Sequence, residues 1–359
     1  MTHSRRSVLR RGAGLAVAGA AASLAGCTDG TDGGSEGFDA GYAAFFTLND
    51  WANRIAGDAA TFEDPVDVGR LGHGWTPDGT LAADVAATDA FVYLDSPEFS
   101  WAQDLAATLE ADYDSVAVID ALDRVEGDLL DWNHSHEGED DHDDHDGEES
   151  HEGEEGGHDG EKGGHDGEGS HDGEEGGHDE RRYDPHVWVD PVLAADMVET
   201  IATGLGEADP NNADAYADNA AAYADELGAV DAAFESIAED ATRDVAVLAG
   251  HNSFQYLEAR YGFRLHSPVG VSPQNEPTQT EIADTIDLVD AEGMDVVLYD
   301  RFQSPRLAEA IVENSDATEA VPVTPAGGTT REWNDAGYGY LEQMTEINVP
   351  AFERAFGAQ

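Results

Sequence analysis

The sequence predicts an α/β protein of two lobes, each built on a roughly four-stranded, mostly parallel sheet flanked by helices, with one long rigid helix joining them. Three observations predict this architecture. Four short apolar runs alternate with helix-like stretches in each half of the chain, a pattern typical of parallel sheets covered by helices. An amphipathic pattern at 212–239 separates the two halves. A segment of His, acidic residues and Gly at 134–180 interrupts the first half and contains no apolar residue.

The predicted strands are runs rich in Val, Ile, Leu, Phe, Tyr and Ala. They lie at 42–48, 66–68, 90–95 and 116–119 in the first lobe, and at 244–249, 263–266, 295–300 and 321–324 in the second. The predicted helices lie at 49–60, 79–88, 101–111, 252–261, 278–291 and 304–314, and a last helix is expected near 338–356. Because each strand is followed by a helix rather than a tight turn, parallel pairing is expected.

The joining helix is predicted from apolar side chains that recur at spacings near three and four over 212–239. Asp209-Pro210-Asn211 is expected to end any preceding helix and to cap the start of this one. About 28 residues at 1.5 Å each give a rod of roughly 40 Å. A rod of that length would brace both lobes and hinder wide closure of one lobe on the other.

The N-terminus reads as an export signal that ends in a lipid anchor. Residues 4–9 (Ser-Arg-Arg-Ser-Val-Leu) form a twin-arginine motif, and the apolar stretch at 12–26 is too short to span a bilayer. Residues 24–27 (Leu-Ala-Gly-Cys) resemble a lipoprotein cleavage box, and Cys27 is the only cysteine. We therefore expect Cys27 to carry the lipid; a cleaved secretory signal with a chance cysteine is the alternative.

The predicted organisation has five parts, placed on the extracellular face of the cell membrane. They are a signal at 1–27, a flexible tether at 28–38, a first lobe at 39–205, a linking helix at 206–240 and a second lobe at 241–359. The segment 134–180 is expected to be a disordered loop, because it has no apolar surface to bury.

The net charge of the chain indicates a protein adapted to high salt concentration. Its 77 acidic residues face 17 basic ones, a formal net charge of −60. Without 134–180, 56 acidic residues still face 16 basic ones. At molar salt the Debye length is only about 3 Å, which screens such self-repulsion. The acidity is therefore interpreted as a solubility adaptation, and the missing basic surface argues against nucleic acid as a partner.

Histidine is the residue type that carries the predicted chemistry. Nine of the 14 histidines lie in 134–180. Dense imidazoles and carboxylates attract divalent cations, so this loop is predicted to hold accessory metal ligands; a salt-adapted spacer is the alternative. The predicted accessory ligands are His134, His136, His142, His145, His151, His158, His165, His171 and His178.

Three further histidines are candidate ligands of one ion between the lobes. His73 lies in a Gly- and Pro-marked turn, His186 lies in the segment 184–191 (Asp-Pro-His-Val-Trp-Val-Asp-Pro), and His251 follows a strand and opens a helix. Ligand sites of parallel sheets gather at the carboxyl ends of strands, so these side chains are expected to meet in the interlobe cleft. Three neutral imidazoles suit Zn²⁺, and to varying degrees copper, nickel and Fe²⁺. His266 has no such context and is interpreted as a capping or surface residue.

Over roughly 40–358 the chain resembles the zinc/manganese-type (cluster A-I) solute-binding receptors of metal ABC importers. Segment 184–191 matches that family's Asp-Pro-His-Val-Trp-Leu-Asp-Pro motif almost letter for letter, and 251–262 matches its His-x-x-Phe-x-Tyr-Leu-x-x-Arg-Tyr-Gly pattern. Segment 73–77 (His-Gly-Trp-Thr-Pro) falls in register with its first ligand segment. The acidic His-rich insertion is typical of the zinc branch, here in a haloarchaeal-like lipoprotein.

The resemblance implies a monomeric, extracytoplasmic receptor that is not an enzyme. It would bind Zn²⁺ as transported ligand through His73, His186 and His251 and deliver it to a membrane permease; Mn²⁺ or Fe²⁺ is the alternative cargo.

Two positions depart from the family pattern. Gly72 stands where an acid usually precedes the first ligand, and Thr324 aligns with the frequent fourth ligand, an Asp. The fourth position is therefore expected to be water or a loop group, which favours zinc over manganese. Asp300 and Glu276 are further candidates for this position.

Three functions of other classes compete with the receptor interpretation. A secreted three-His zinc hydrolase or hydratase shares the ligand set, although no His-Glu-x-x-His helix or nucleophile elbow occurs in the sequence. A metal sponge in which 134–180 does all the binding is the second. An adhesin built on a receptor-like fold is the third.

Overall fold

The computed structural model describes residues 38–131, 183–270 and 276–358. The signal with Cys27, residues 28–37 of the tether and the whole His-rich run 134–180 lie outside the described residues. From Phe38 onward the chain forms one compact unit. Within it the predicted α/β architecture of two lobes and a long helix is confirmed.

The first lobe is a four-stranded parallel sheet. In chain order its strands are β1 (Ala40–Ala43), β2 (Thr61–Glu63), β3 (Ala90–Tyr93) and β4 (Ala117–Asp120), and their spatial order is β2-β1-β3-β4. Its helices are α1 (Phe46–Ala56), α2 (Leu81–Val85) and α3 (Ser100–Asp112). Strand β3 lies in the middle, and its first three residues are fully buried.

Two predicted strands of this lobe are wrong. The run 42–48 is the end of β1 followed by the start of α1, because Leu48 continues into a face with Trp51 and Ile55 at helical spacing, and all three are fully buried. The run 66–68 is not a strand, and Val68 is 51% exposed. The second strand is instead β2, with only its central Phe62 buried.

Two antiparallel helices connect the lobes. Helix α4 (Pro191–Ala208) was not predicted, although its start carries clear signals: Pro191 stands at the first helical position, and the Asp190 carboxylate accepts hydrogen bonds from the next two backbone N–H groups. Helix α5 (Ala213–Asp240) has 28 residues and is the predicted long helix. Its buried face packs on α4 and α1 and reaches the C-terminal helix.

The second lobe contains two pairs of parallel strands. Strand β5 (Val245–Val247) pairs with β6 (Arg264–His266), and β7 (Val296–Asp300) pairs with β8 (Glu319–Val323). An isolated parallel bridge between Leu248 and Leu298 joins the two pairs, so the strands follow the order β6-β5-β7-β8. The helices of this lobe are α6 (Gln255–Tyr261), α7 (Gln279–Glu292), α8 (Arg306–Glu313) and α9 (Arg331–Ala336).

The single helix expected near 338–356 is three segments: α10 (Tyr340–Glu342), a π-helical stretch (Gln343–Asn348) and α11 (Val349–Phe356). Pro350 at the start of α11 has no backbone N–H to continue the regular pattern. The π-helical stretch turns Gln343 and Asn348 inward, where both bond Thr324.

One hydrophobic core runs through both lobes. Phe234 of α5 packs edge-on against Phe352 of α11, with ring centroids 5.5 Å apart, and Phe352 also contacts Phe254 and Phe263 of the second lobe. A smaller apolar cluster lies under α7 and α8. No helix in the described part of the chain is long and apolar enough to cross a membrane.

Candidate metal centre

Three imidazoles from separate parts of the chain converge where the two lobes meet. His73, His186 and His251 each offer one ring nitrogen, and these nitrogens all lie within 4.8 Å of one another. Nε2 of each ring is buried and has no hydrogen-bond partner among the described residues. Buried polar atoms normally have a partner, so three orphan nitrogens facing one another fit a metal ion that all of them coordinate.

His186 stands at the start of a short 3-10 turn (His186–Val189), and an adjacent carboxylate orients it. Its Nδ1 lies 2.7 Å from Asp184 Oδ1, which also accepts the His186 backbone N–H at 3.0 Å. A carboxylate at Nδ1 places the ring proton there and leaves the lone pair on Nε2. This arrangement suits Nε2 of His186 for the coordination of a cation.

His251 follows β5 by way of a tight bend and is almost fully buried, at 1% exposure. Its Nδ1 lies 2.6 Å from the side-chain amide nitrogen of Gln303, and that nitrogen lies 3.1 Å from Asp300 Oδ2. Asp300 ends β7, and the bridge between β5 and β7 brings these groups together.

His73 lies in the irregular segment between β2 and α2, and it is only partly buried. The preceding Gly72 packs so tightly that a Cβ there would lie 2.7 Å from Phe45 Cβ and 2.9 Å from Phe99 Cε1. The Gly72 carbonyl also accepts the Trp101 indole N–H at 3.3 Å. Glycine, instead of the acid usual in the family pattern, is therefore required by this packing.

Burial keeps two of the imidazoles neutral. It lowers the pKa of His73 to about 4, helped by the neighbouring His186. It lowers the pKa of His251 to about 3, with His186 and His73 adding to the effect. Neutral imidazole is the charge state that binds metal ions. Burial therefore favours that state in both rings at neutral pH, and the tautomer of each ring then decides which nitrogen carries the lone pair.

None of the carboxylates considered for a fourth ligand belongs to the group of converging atoms. Asp300 is buried, and its oxygens accept from the Phe302 backbone N–H and the Gln303 amide; burial raises its pKa to about 6. Glu276 is exposed. Thr324 is fully buried, with its hydroxyl 2.9 Å from Gln343 Oε1. His266 lies apart, with Nε2 2.9 Å from Thr285 Oγ1.

The segment that carries His186 is held by side chains of the second lobe. Tyr256 Oη donates to the Asp184 carbonyl at 2.7 Å, and Tyr340 Oη donates to the Trp188 carbonyl at 2.6 Å. Arg260 Nε lies 2.5 Å from Asp190 Oδ2. None of these side chains was predicted from the sequence to contribute to the site. Tyr256 and Arg260 are positions of the family pattern matched at 251–262. No sequence pattern indicated a role for Gln303, the partner of His251.

The chain is similar to known zinc-binding proteins of metal uptake. The family model of ZnuA, the periplasmic component A of the zinc-uptake complex, matches residues 42–355. Zinc-binding lipoprotein AdcA of Streptococcus pneumoniae is 28% identical over 312 residues, which cover 86% of this chain and 54% of AdcA. The chain thus spans about half the length of this curated relative.

Two solved structures share the fold. The Zn(II)-bound ZnuA-like domain of Streptococcus pneumoniae AdcA superposes with a TM-score of 0.64 at 23% identity, covering 89% of this chain and 99% of that domain. The laminin-binding protein Lmb of Streptococcus agalactiae, described as bifunctional with adhesin and metal-transporting activity, superposes with a TM-score of 0.64 at 20% identity, covering 88% and 99%.

Proposed function

Because the chain belongs to the family of ZnuA, the periplasmic component A of the zinc-uptake complex, we propose that it is the extracytoplasmic substrate-binding component of a metal ABC importer. It binds Zn²⁺ between its lobes and delivers the ion to a membrane permease. The observation that carries this proposal is the convergence of three buried, unpartnered Nε2 atoms.

The cargo ion is coordinated by His73, His186 and His251, and a water molecule completes the shell. Nitrogen ligands favour Zn²⁺ over Mn²⁺, which prefers oxygen donors. Among the described residues, the group of converging atoms contains no carboxylate oxygen, which supports the same choice. Binding without catalysis is proposed, because the matched family is that of a zinc-uptake component.

The parts outside the described residues serve capture and anchoring. In this proposal Cys27 carries the lipid that holds the protein on the extracellular face of the membrane, behind a twin-arginine signal, and the acidic surface maintains solubility at molar salt. The histidines of 134–180 capture ions weakly and raise their concentration near the site. The protein acts as a monomer, with lobes at 39–205 and 241–359 and the linker at 206–240.

Metal competition at molar salt tests the proposal. Chelator-stripped protein, with and without 134–180, is offered Zn²⁺, Mn²⁺ and Fe²⁺ together, and the tightly bound metal is counted. One zinc per chain in both forms is the expected result. Preferential binding of manganese or iron would change the assigned cargo, and loss of all binding on deletion would assign the function to the loop.

Single substitutions test the ligands. His186→Ala, made in the protein lacking 134–180, is expected to abolish stoichiometric tight zinc binding, and His73→Ala and His251→Ala are expected to weaken it strongly. His266→Ala is the matched control, because it removes an imidazole outside the ligand group, and one zinc per chain should remain. Tight zinc binding by His186→Ala would refute the site.

Two rival activities have direct assays. Esterase or carbon dioxide hydration activity of the zinc-loaded protein would favour a three-His hydrolase or hydratase. Binding to surface polymers, without a growth defect of the deletion strain under zinc starvation, would favour an adhesin.

A further inference from the structure

The candidate ligands His186 and His251 differ in the hydrogen-bond partner of their Nδ1 atom. Nδ1 of His186 faces the Asp184 carboxylate, whereas Nδ1 of His251 faces the uncharged amide of Gln303. The same amide nitrogen also faces Asp300 Oδ2 at 3.1 Å. The ligand His251 is therefore the first member of a chain of polar contacts that ends at a buried carboxylate, 1% exposed.

The orientation of the amide decides the tautomer of His251. An ionised carboxylate only accepts hydrogen bonds, so Asp300 holds the N–H side of the Gln303 amide toward itself. That nitrogen is then also a donor toward Nδ1 of His251, 2.6 Å away. A neutral imidazole that accepts at Nδ1 carries its proton on Nε2, the atom that faces the other two rings. This tautomer has no lone pair for the ion.

Ion binding requires the opposite orientation. His251 must carry its proton on Nδ1, and Gln303 must present its oxygen to that proton. The amide nitrogen and oxygen of Gln303 are nearly equal in size, so a half turn about the last side-chain bond exchanges them within the same space. After that turn the Gln303 amide oxygen faces the Asp300 carboxylate. Both groups are hydrogen-bond acceptors and repel each other, so this orientation is disfavoured.

We propose that Gln303 and Asp300 are positioning residues that select which nitrogen of His251 carries the proton, and that they thereby moderate how tightly the three-histidine site holds its ion. The proposal rests on the proposed function for the identity of the ion. The pair opposes the effect of Asp184, which favours the ligating tautomer of His186. A receptor must release its cargo, and a third ligand that is held partly in its non-ligating tautomer lowers the affinity of the site without changing its ligand set.

Asp300→Asn is the decisive variant, because the structure fixes how the new amide must lie. The Phe302 backbone N–H donates to Asp300 Oδ1 at 2.9 Å, so an asparagine keeps its carbonyl there and presents its N–H₂ to Gln303. The Gln303 oxygen then accepts from both Asn and His251 Nδ1. One realigned hydrogen bond predicts zinc binding about three- to tenfold tighter than in the wild type.

A simple charge effect has the opposite sign. If Asp300 acted only by attracting the cation, removing its charge would weaken zinc binding. The sign of the change in chelator competition therefore separates the two explanations. Gln303→Leu removes the amide at similar size, and Asp300→Asn in that background should give no tightening.

The tautomer itself is measured in the metal-free full-length chain by ¹⁵N NMR of its histidines, with the His251 signals assigned from His251→Gln. The expected result is an Nε2-protonated His251 in the wild type and an Nδ1-protonated one in Asp300→Asn. Weaker zinc binding, or an unchanged tautomer in a folded Asp300→Asn protein, would overturn the proposal. The tautomer is measured without metal. If the wild type failed to bind zinc, the proposed function would be refuted, but the measured tautomer of His251 would still decide whether Gln303 and Asp300 control it.

Discussion

Replacing His251 by Gln should remove a specific loss of stability in acid from the metal-free protein. Burial lowers the pKa of His251 to about 3 in the folded chain, whereas an unfolded histidine has a pKa of about 6.5. Between these values the unfolded chain binds a proton that the folded chain does not. Acidification therefore favours unfolding in this range, and the loss begins as the pH falls below about 7.

The size of this loss of stability depends only on the pKa of histidine in the unfolded chain, provided that the pKa of His251 in the folded chain is below 5. From pH 7.5 to pH 5 the unfolded imidazole gains about 2 kcal/mol of proton-binding free energy. Buried carboxylates act in the opposite direction: burial raises the pKa of both Asp120 and Asp300 to about 6, so their protonation in the folded state stabilises it as the pH falls. The difference between wild type and variant isolates the imidazole, because these carboxylates are common to both.

The assay is urea unfolding at molar salt, with both proteins stripped of metal before the pH is changed. The wild type should lose about 2 kcal/mol more than His251→Gln between pH 7.5 and pH 5. Added zinc should stabilise the wild type near neutral pH, and this gain should decline in acid as protons compete for the ligands. Parallel curves for the two metal-free proteins would refute the assignment of a buried neutral imidazole at this position.

Other substitutions test the contacts that hold the site, each by the free energy of unfolding in urea. Arg260→Met should cost about 2 kcal/mol, because it leaves the buried Asp190 carboxylate without its cationic partner. The two backbone N–H groups at Asp190 Oδ1 remain, and the 30% exposure of the Arg260 side chain keeps the cost below that of a fully buried pair. Tyr340→Phe should cost about 1 kcal/mol, by loss of the hydrogen bond to the Trp188 carbonyl. Ala326 has φ of +54° and is fully buried, so Ala326→Val should cost about 2 kcal/mol or more, whereas Ala326→Gly should be nearly neutral. An unchanged midpoint for Ala326→Val would contradict the left-handed backbone there.

The convergence of the three histidines could be predicted from sequence because their local contexts are informative. His186 lies in a specific motif, and His251 follows a buried strand, whose carboxyl end marks a ligand site in a parallel sheet. The long helix was predictable for a related reason: seven buried side chains keep helical spacing over α5. In each case the signal lies within a few residues of the feature.

Other features depend on contacts that the local sequence does not encode. The run 42–48 is apolar in either state, and only packing decides that Leu48 belongs to a helix. Gln303 is an exposed polar residue in a turn, and its contact with His251 arises from the bridge between Leu248 and Leu298. Gly72 is informative only when Phe45 and Phe99 are seen against it.

The contrast between the acidic surface and the converging histidines bears on which cations the proposed site would favour. Among the described acidic residues only Asp184, Asp190, Asp209 and Asp300 are buried, so most of the others offer oxygen ligands to the solvent, and such ligands suit hard cations. The converging group between the lobes consists, among the described residues, of imidazole nitrogens alone. A carboxylate buried there would need a partner to offset its desolvation. Oδ1 of Asp184 and Oδ1 of Asp300 each accept a backbone N–H of their own segment, whereas Asp184 Oδ2 is buried without a hydrogen-bond partner among the described residues. In the proposed site these two acids therefore lie on the outer side of the ligand group, at His186 Nδ1 and at the Gln303 amide. The neutral nitrogen atoms that would face the ion favour Zn²⁺ over the hard cations that carboxylates attract.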